Sequence, residues 1–313
     1  MIDISINSGK KFDIVLMNPP YAGTTHLKFL NKVLQITNNT VTIQPIIWLF
    51  GQNSSSSASD AINNIKTYIN KYKTNIEKID ATKFNSAAIP QEVGIIYISN
   101  NESDEINVKY NDSEYTLKDI EDNKKYGNDK LLSKLDNILK PIYKEDNFWN
   151  HITFSPRAKG HLGKRKNEEK IDFNPNIENI IINIPQIRGH VNQTDFYTTT
   201  EAALKPVKYK NYRNAGKTTP WSYIVCKNEQ YGENIARYLK TDFVRSCLYF
   251  NKFSTTLPID CIPWFDFSDE HFSKTPHEID NWLFDKYNIS DEIRKHIEEI
   301  LPDYYNIRPK TND

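Results

Sequence analysis

The chain has 313 residues, and its 40 basic and 40 acidic side chains cancel at neutral pH. This length accommodates one large domain or two ordinary ones, and the neutral balance favours neither nucleic acid nor a basic partner. Three widely spaced cysteines without a Cys-x-x-Cys pair argue against a disulfide framework and for a reducing compartment. No apolar run approaches the length of a membrane span, so we predict an intracellular protein without a membrane partner.

Apolar strands and amphipathic helices alternate over the first hundred residues. In chain order the predicted elements are a buried strand over 12–17, a helix over 26–36, a buried strand over 40–50, a helix capped at Ser59 or Asp60, and strands around 76–79 and 93–98. Pro45 inside the second strand predicts a bulge or a break. This order of elements is typical of an α/β layer with right-handed crossovers.

The second part of the chain has a different texture. Residues 100–128 are polar and acidic, which predicts a loop that could hold a hairpin, and a helix over 129–140 should end at Pro141. Short strands, turns and aromatic-basic segments follow from about residue 150, where we place a domain boundary. Two helical stretches are predicted near the end of the chain, over 233–250 and over 276–300, the latter broken near Asn288.

The stretch FDIVLMNPPY places an unusual tetrapeptide directly after the first predicted strand. In a parallel α/β sheet, ligands bind beyond the carboxyl ends of the strands. Pro19 and Pro20 fix the backbone and remove two donors, which leaves a rigid loop rich in carbonyl acceptors. Asn18 adds a side-chain acceptor, and Tyr21 adds a flat ring for stacking. Such a loop suits a planar ring that carries an amino group.

Two acceptors on an aromatic amine would localise its lone pair for attack on a methyl donor, an effect realised mainly in the transition state. The competing interpretation is that Asn18-Pro19 is a common turn that ends a strand. The four-residue match after an apolar strand headed by Phe12 and Asp13 favours the functional interpretation.

FDIVLMNPPY resembles the catalytic motif of amino-group methyltransferases that use S-adenosylmethionine, specifically the adenine-N6 DNA methyltransferases. In that family the motif Asp/Asn/Ser-Pro-Pro-Tyr/Phe/Trp ends the fourth strand of a Rossmann-like sheet. The resemblance implies that the residues from Asn18 to Tyr21 hold a target adenine. It also implies an α/β fold, with a partial Rossmann-like methyltransferase sheet over 1–149 followed by an α+β target-recognition domain over 150–313.

Later segments are similar to the same family. ATKFNSAAIPQEVGIIYIS (81–99) resembles the segment in which an aromatic residue precedes a strand and packs near the flipped base, which makes Phe84 a candidate base contact. A core phenylalanine at the foot of a strand is the equally weighted alternative. The stretches 183–199 and 234–250 are similar to parts of the target-recognition region of restriction–modification methylases.

One departure from the family concerns the cofactor. The family binds S-adenosylmethionine with a glycine-rich turn after the first strand, yet only eleven residues precede Phe12 and no Gly-x-Gly occurs in the chain. The chain therefore resembles the half with the catalytic loop and target recognition, without the cofactor half. We expect a second polypeptide with the glycine-rich motif to bind most of the S-adenosylmethionine, and Leu16 and its neighbours to leave an apolar face uncovered for it.

Positive charge is concentrated in the middle of the chain, where residues 151–217 carry 12 basic and 6 acidic side chains. Such side chains would neutralise phosphates of duplex DNA, and arginines and aromatic residues could reach base edges. The candidate DNA contacts are Arg157, Lys159, Lys164, Arg165, Lys166, Arg188, Lys208, Lys210 and Arg213. Ordinary charged loops are the competing interpretation, and the motif upstream favours DNA. Base flipping would then bring adenine to Tyr21.

Two hypotheses about function follow. The first is a site-specific adenine-N6 DNA methyltransferase, or its catalytic and specificity subunit, in the cytoplasm of a bacterial, phage or viral system. The second is a non-catalytic DNA-binding or regulatory module derived from such an enzyme. A variant of the first keeps the reaction and changes the substrate, because NPPY also occurs in methylases of protein glutamine and of rRNA guanine. No metal site is predicted, since the seven histidines lack metal-ligand spacing.

Overall fold

The computed structural model describes residues 12–21, 23–50, 58–79, 92–110, 113–155, 176, 178–184, 204–214, 222–252 and 257–301, with the backbone alone for 212–214. The chain divides into two units, Met1–Asp129 and Lys130–Asp313. The boundary predicted near residue 150 falls inside the second unit. In the described part of the chain, no helix is both long enough and apolar enough to cross a membrane.

The first unit contains one mixed sheet of six strands within the described residues, in the order β1-β2-β4-β3-β5-β6. The strands are β1 (Val15–Met17), β2 (Asn39–Pro45), β3 (Tyr72–Ile79), β4 (Val93–Glu102), β5 (Ile106–Tyr110) and β6 (Ser113–Leu117). Helix α1 (Thr25–Val33) follows β1, and helix α2 (Ser59–Lys71) precedes β3. The α/β class is confirmed. Strands β5 and β6 pair in an antiparallel arrangement, so the polar stretch 100–128 does contain the hairpin that was considered for it.

One strand of the sheet, β4, runs antiparallel to its neighbours. Strands β1 and β2 are parallel, as predicted, but β4 runs antiparallel to both β2 and β3. Consecutive strands β3 and β4 pair directly, which an antiparallel arrangement allows without a crossover helix. Because β3 also pairs in parallel with β5, strands β1, β2, β3 and β5 all point the same way. Their carboxyl ends therefore lie at one edge of the sheet, which we call the carboxyl edge.

The helices of the first unit bury the faces that their sequence periodicity predicted. Helix α1 buries Leu27, Leu30 and Val33, and α2 buries Ile62, Ile65 and Ile69. Burial of each such side chain stabilises the fold by roughly 1.5–3 kcal/mol. Pro45 ends β2, and the chain continues as a 3₁₀ helix (Ile47–Phe50), so the break predicted at this proline is confirmed.

The second unit combines a small antiparallel sheet with helices. Its strands, in the order β7-β10-β8-β9 for the described residues, are β7 (Thr153–Phe154), β8 (Ile180–Asn183), β9 (Val207–Lys208) and β10 (Ser222–Cys226). Its helices are α3 (Lys130–Glu145), α4 (Phe148–His151), α5 (Tyr209–Asn214), α6 (Glu229–Tyr238), α7 (Asp242–Asn251), α8 (Pro276–Lys286) and α9 (Asp291–Ile300). This composition is compatible with the predicted α+β class.

The ends of three helices in the second unit can be compared with the predictions made from two prolines and one asparagine. The expectation that Pro141 ends α3 is wrong, because the helix continues to Glu145 and buries Tyr143. Pro276 instead starts α8, directly after the capping residue Thr275, where a missing N–H costs nothing. The break predicted near Asn288 is confirmed, since this residue has a φ of 53° between α8 and α9.

Candidate active site

The loop from Asn18 to Tyr21 follows β1 at the carboxyl edge of the sheet. Because β1 and β2 are parallel neighbours, the loop lies beside the end of β2, where the strand gives way to the 3₁₀ helix. Pro19 is buried, whereas Asn18 and Pro20 are exposed. The proline thus anchors the loop while the carboxamide of Asn18 remains accessible to a ligand.

Tyr21 is held in place on two sides. Its hydroxyl group donates a hydrogen bond to the main-chain carbonyl of Ile43 in β2, at 3.2 Å. The edge of its ring meets the ring of His26 with centroids 6.5 Å apart and planes 79° apart. Partial burial raises the pKa of the Tyr21 hydroxyl above its ordinary value, so this group stays protonated at neutral pH.

His26 is a residue of the site that the sequence did not reveal. It is buried on α1, and this burial lowers the pKa of its imidazole to about 4, so the ring is neutral at pH 7. Its Nδ1 atom has no hydrogen-bond partner among the described groups. His26 lies five residues after Tyr21. No sequence pattern predicts that a single histidine on an apolar helix face contacts the ring of this tyrosine.

Strand β2 carries a row of buried polar side chains on one of its faces. Thr40, Thr42 and Gln44 alternate along the strand and are fully buried. Their hydroxyl and carboxamide groups lack hydrogen-bond partners among the described residues. Buried polar groups in native proteins are nearly always satisfied, so unpaired ones call for an explanation such as strain, a catalytic role or a bound water molecule. The sequence predicted only a buried strand here.

A second polar cluster lies at the same carboxyl edge. It is built on Glu92, which directly precedes β4 and is almost wholly buried. One carboxylate oxygen of Glu92 lies 3.4 Å from the Nζ atom of Lys78, and the other accepts a hydrogen bond from the hydroxyl of Tyr110. Burial lowers the pKa of nearby Lys125 to about 8, against the attraction of Glu92. The ends of β3, β4 and β5 thus bring together Lys78, Glu92 and Tyr110, which are far apart in sequence.

The structure places part of the predicted DNA-binding set on one exposed patch. Lys208 and Lys210 both contact the carboxylate of Glu178, at 3.0 and 2.5 Å. Two lysines against one carboxylate leave a surplus of positive charge on this patch. Arg213 follows in the backbone of α5, and Tyr209 is buried against Ile181 and Tyr223 in the core.

The remaining predicted contacts lie outside the described residues. They are the base-contact candidate Phe84 and the basic residues Arg157, Lys159, Lys164, Arg165, Lys166 and Arg188.

Comparisons with known proteins give weak likenesses. The chain matches no protein-family model and no curated protein. A chain from a structure of a type I restriction–modification system aligns with 35% of this chain and 26% of its own length, at 16% identity and a TM-score of 0.26. The type IIG restriction endonuclease BpuSI aligns with 94% of this chain and 50% of its own length, at 10% identity and a TM-score of 0.33. This chain therefore spans a half or less of either protein, and similarity at these levels does not identify a function.

Proposed function

We propose that this chain holds the target adenine of an adenine-N6 DNA methyltransferase and contacts duplex DNA, within a restriction–modification system. The observation that carries the proposal is the position of Asn18, Pro19, Pro20 and Tyr21. This loop ends an apolar strand at the carboxyl edge of the sheet, with the carboxamide exposed and the aromatic ring supported from two sides. Ligands of open α/β sheets bind at such an edge.

The loop has the groups that a flipped adenine requires. The Oδ1 atom of Asn18 and a main-chain carbonyl of the proline pair would accept the two N6–H bonds of the base. The ring of Tyr21 offers a stacking surface, worth about 1–3 kcal/mol for a base on an aromatic side chain. Acceptors on both hydrogens draw the nitrogen lone pair out of conjugation with the purine ring, which makes N6 a better nucleophile in the transition state.

The methyl group would come from S-adenosylmethionine, for which this chain shows no recognisable glycine-rich binding element. Its 313 residues contain no Gly-x-Gly, the element that lets a backbone turn approach the cofactor closely. The six-stranded sheet of the described residues begins at β1, with no further strand on the other side of it. We therefore propose that a partner chain supplies most of the cofactor contacts, while this chain holds the adenine and contacts DNA.

The test is the substitution Asn18→Ala in the organism that encodes the chain. N6-methyladenine in its DNA is quantified by mass spectrometry of nucleosides, and duplex binding by the purified variant is measured in parallel. We expect the modification to disappear while duplex affinity stays within about twofold of the wild type. Asn281→Ala, which removes another exposed carboxamide, is the control and should change neither readout. Persistent modification in Asn18→Ala, or loss of modification and binding together, would contradict the assigned role.

A second candidate is a DNA-binding module without catalytic activity. The lack of a Gly-x-Gly element in this sequence favours it, because methyl transfer requires bound S-adenosylmethionine. The same experiment separates the two candidates, since the second predicts no N6-methyladenine that depends on the wild-type chain.

A further inference from the structure

A pocket lies at the edge of the first unit's sheet where β2 and β3 begin, opposite to the carboxyl edge. We call it the amino-edge pocket. Its volume is about 240 Å³, and the ends of α1 and α2, the start of β2 and part of β4 form it. A water molecule has a share of roughly 30 Å³ in the liquid, so this pocket has room for a small organic molecule. It is separate from the loop at Asn18, because β2 runs between the two edges of the sheet.

Two tyrosine rings belong to one wall of the amino-edge pocket. Tyr68 and Tyr72 both line it, with ring centroids 5.6 Å apart and planes 34° apart. The face of an aromatic ring attracts cations because of its quadrupole. One such contact already exists here, since the Nζ atom of Lys71 lies 5.1 Å from the centroid of the Tyr72 ring. Lys71 is paired in turn with Glu102 at 3.4 Å, so the charges of these two side chains offset each other.

Two helices end at the amino-edge pocket. Leu34 caps the C-terminus of α1, Tyr72 caps the C-terminus of α2, and both residues line the pocket. The C-terminus of a helix carries a partial negative charge of roughly half an elementary charge, which favours cations and disfavours anions. Lys32 and Lys71, in the last turns of these helices, are exposed and lie outside the lining. The described residues that line the pocket include no charged side chain, so the rings and the helix ends favour a positive ligand.

Thr40 adds a group that can form a hydrogen bond. It lines the pocket and is fully buried, and its hydroxyl group has no hydrogen-bond partner among the described residues. A buried hydroxyl without a partner is costly, and a bound ligand that donates a hydrogen bond to it removes this cost. The carboxamides of Gln35, Asn38 and Asn100, which also line the pocket, are further acceptors.

We propose that the amino-edge pocket binds a small planar organic cation, of the class of a protonated amidine or a protonated amino-heterocycle. The planar group stacks on the ring of Tyr68, and its N–H groups donate to the hydroxyl of Thr40 and to the carboxamides. This site is distinct from the loop proposed to hold adenine, and neither site requires the other. Because the ligand joins the ends of α1 and α2 to the sheet, its binding stabilises the folded chain.

The test compares three probes of similar size and shape that differ in charge. Benzamidine is a cation at neutral pH, benzamide is neutral and benzoate is an anion. Binding to the full chain is measured by isothermal titration calorimetry and located by the NMR shifts of threonine methyl groups. We expect benzamidine to bind one site, about tenfold or more tightly than benzamide, and benzoate not to bind. The methyl signals of Thr37 and Thr40, which line the pocket, should shift, whereas that of Thr116 on β6 should not.

Paired variants test the two residues assigned to the ligand. Thr40→Val deletes the unpaired hydroxyl and keeps the shape of the side chain, so benzamidine affinity should fall about fivefold or more without loss of stability. Thr42→Val is the matched control, because Thr42 has an equally buried and unpaired hydroxyl on the same face of β2 but is not among the residues that line the pocket. Tyr68→Leu should abolish binding, whereas Tyr68→Phe keeps the ring and should retain it.

Other outcomes overturn the proposal. Benzamide or benzoate binding as tightly as benzamidine would contradict the assigned charge of the ligand. Equal losses of affinity in Thr40→Val and Thr42→Val, or no loss in either, would place the probe outside the amino-edge pocket. Detectable binding of none of the probes in solution would show that the pocket holds water alone.

Discussion

The hydroxyl group of Tyr21 donates a hydrogen bond to the main-chain carbonyl of Ile43, at 3.2 Å. This bond ties the loop after β1 to the end of the neighbouring parallel strand. Because burial raises the pKa of the hydroxyl, the donor persists through the neutral pH range. The ring of Tyr21 is thereby fixed close to Asn18, where a base could stack on it while its amino group meets the carboxamide.

The first prediction separates the hydroxyl of Tyr21 from its ring. Tyr21→Phe removes one hydrogen bond, worth about 1 kcal/mol, so the initial rate of adenine methylation should fall by roughly fivefold. Tyr21→Ala also removes the stacking surface and should cost roughly a further tenfold or more. Tyr115→Phe is a matched control, because it deletes a hydroxyl on the same sheet that donates to the side chain of Asn123 at 2.8 Å. Equal effects of the Phe and Ala variants would argue against stacking on this ring.

A second prediction concerns the exposed patch formed by Lys208, Lys210 and Glu178. The two ammonium groups hold the pKa of the Glu178 carboxyl below its ordinary value, so this carboxylate stays charged and offsets part of their charge. Glu178→Gln should therefore tighten duplex binding and steepen its dependence on salt by about 0.9 for each additional phosphate that the lysines neutralise. Lys208→Gln and Lys210→Gln should act in the opposite direction. Fluorescence anisotropy over a salt series measures all three, and unchanged slopes would remove the patch from the interface.

A third prediction rests on sequence alone. Replacement of Lys164, Arg165 and Lys166 by glutamine should weaken duplex binding and lower the salt slope by about 0.9 for each phosphate that is no longer neutralised. The same three-charge change at Lys73, Lys109 and Lys118, exposed lysines of the first unit, is the control and should leave the slope unaltered. If both triple variants bind alike, the basic stretch is an ordinary charged loop.

Helix faces and breaks were the most predictable parts of the fold. The spacing of Ile62, Ile65 and Ile69 identified the buried side of α2, and the break near Asn288 was visible as the end of a periodic stretch. The helix end predicted at Pro141 is wrong because tertiary packing outweighs the helix-breaking preference of proline. Tyr143 is buried beyond it, and the helix continues to Glu145. The direction of β4 was not predictable, since an apolar run is equally buried whichever way the strand points.

The loop at Asn18 could be predicted because its residues are adjacent in the chain. The surroundings of the loop could not, because they arise from residues far apart in sequence. Tyr21 and Ile43 are 22 residues apart, and Lys208 and Glu178 are 30 residues apart. No local pattern encodes such contacts. The prediction of a buried strand over 12–17 is wrong, because Phe12, Ile14 and Leu16 are exposed. The exposure of Leu16 was expected only from the missing cofactor half, and Leu16 is the most exposed of the large apolar side chains described.

The final prediction uses the buried cluster behind the carboxyl edge. Burial is the largest influence on Lys125 and lowers the pKa of its ammonium group from 10.5 to about 8, while Glu92 opposes this shift and Lys78 adds to it. The folded chain therefore releases this proton near pH 8, whereas the unfolded chain keeps it up to its ordinary pKa. Between these two values the unfolded state binds more protons, so stability rises with pH.

The contribution of Lys125 to the free energy of unfolding should rise by about 2 kcal/mol between about pH 7.5 and 9.5. Denaturant titrations across this range, compared between the wild type and Lys125→Met, isolate the effect because the tyrosines and cysteines that also titrate are common to both. The difference in stability between the two proteins should shift with pH in favour of the wild type, as the cost of burying the charge disappears. Lys118→Met, at an exposed position, should show no such shift. A pH-independent difference for Lys125→Met would mean that Lys125 keeps its proton in the folded chain and that Glu92 outweighs burial.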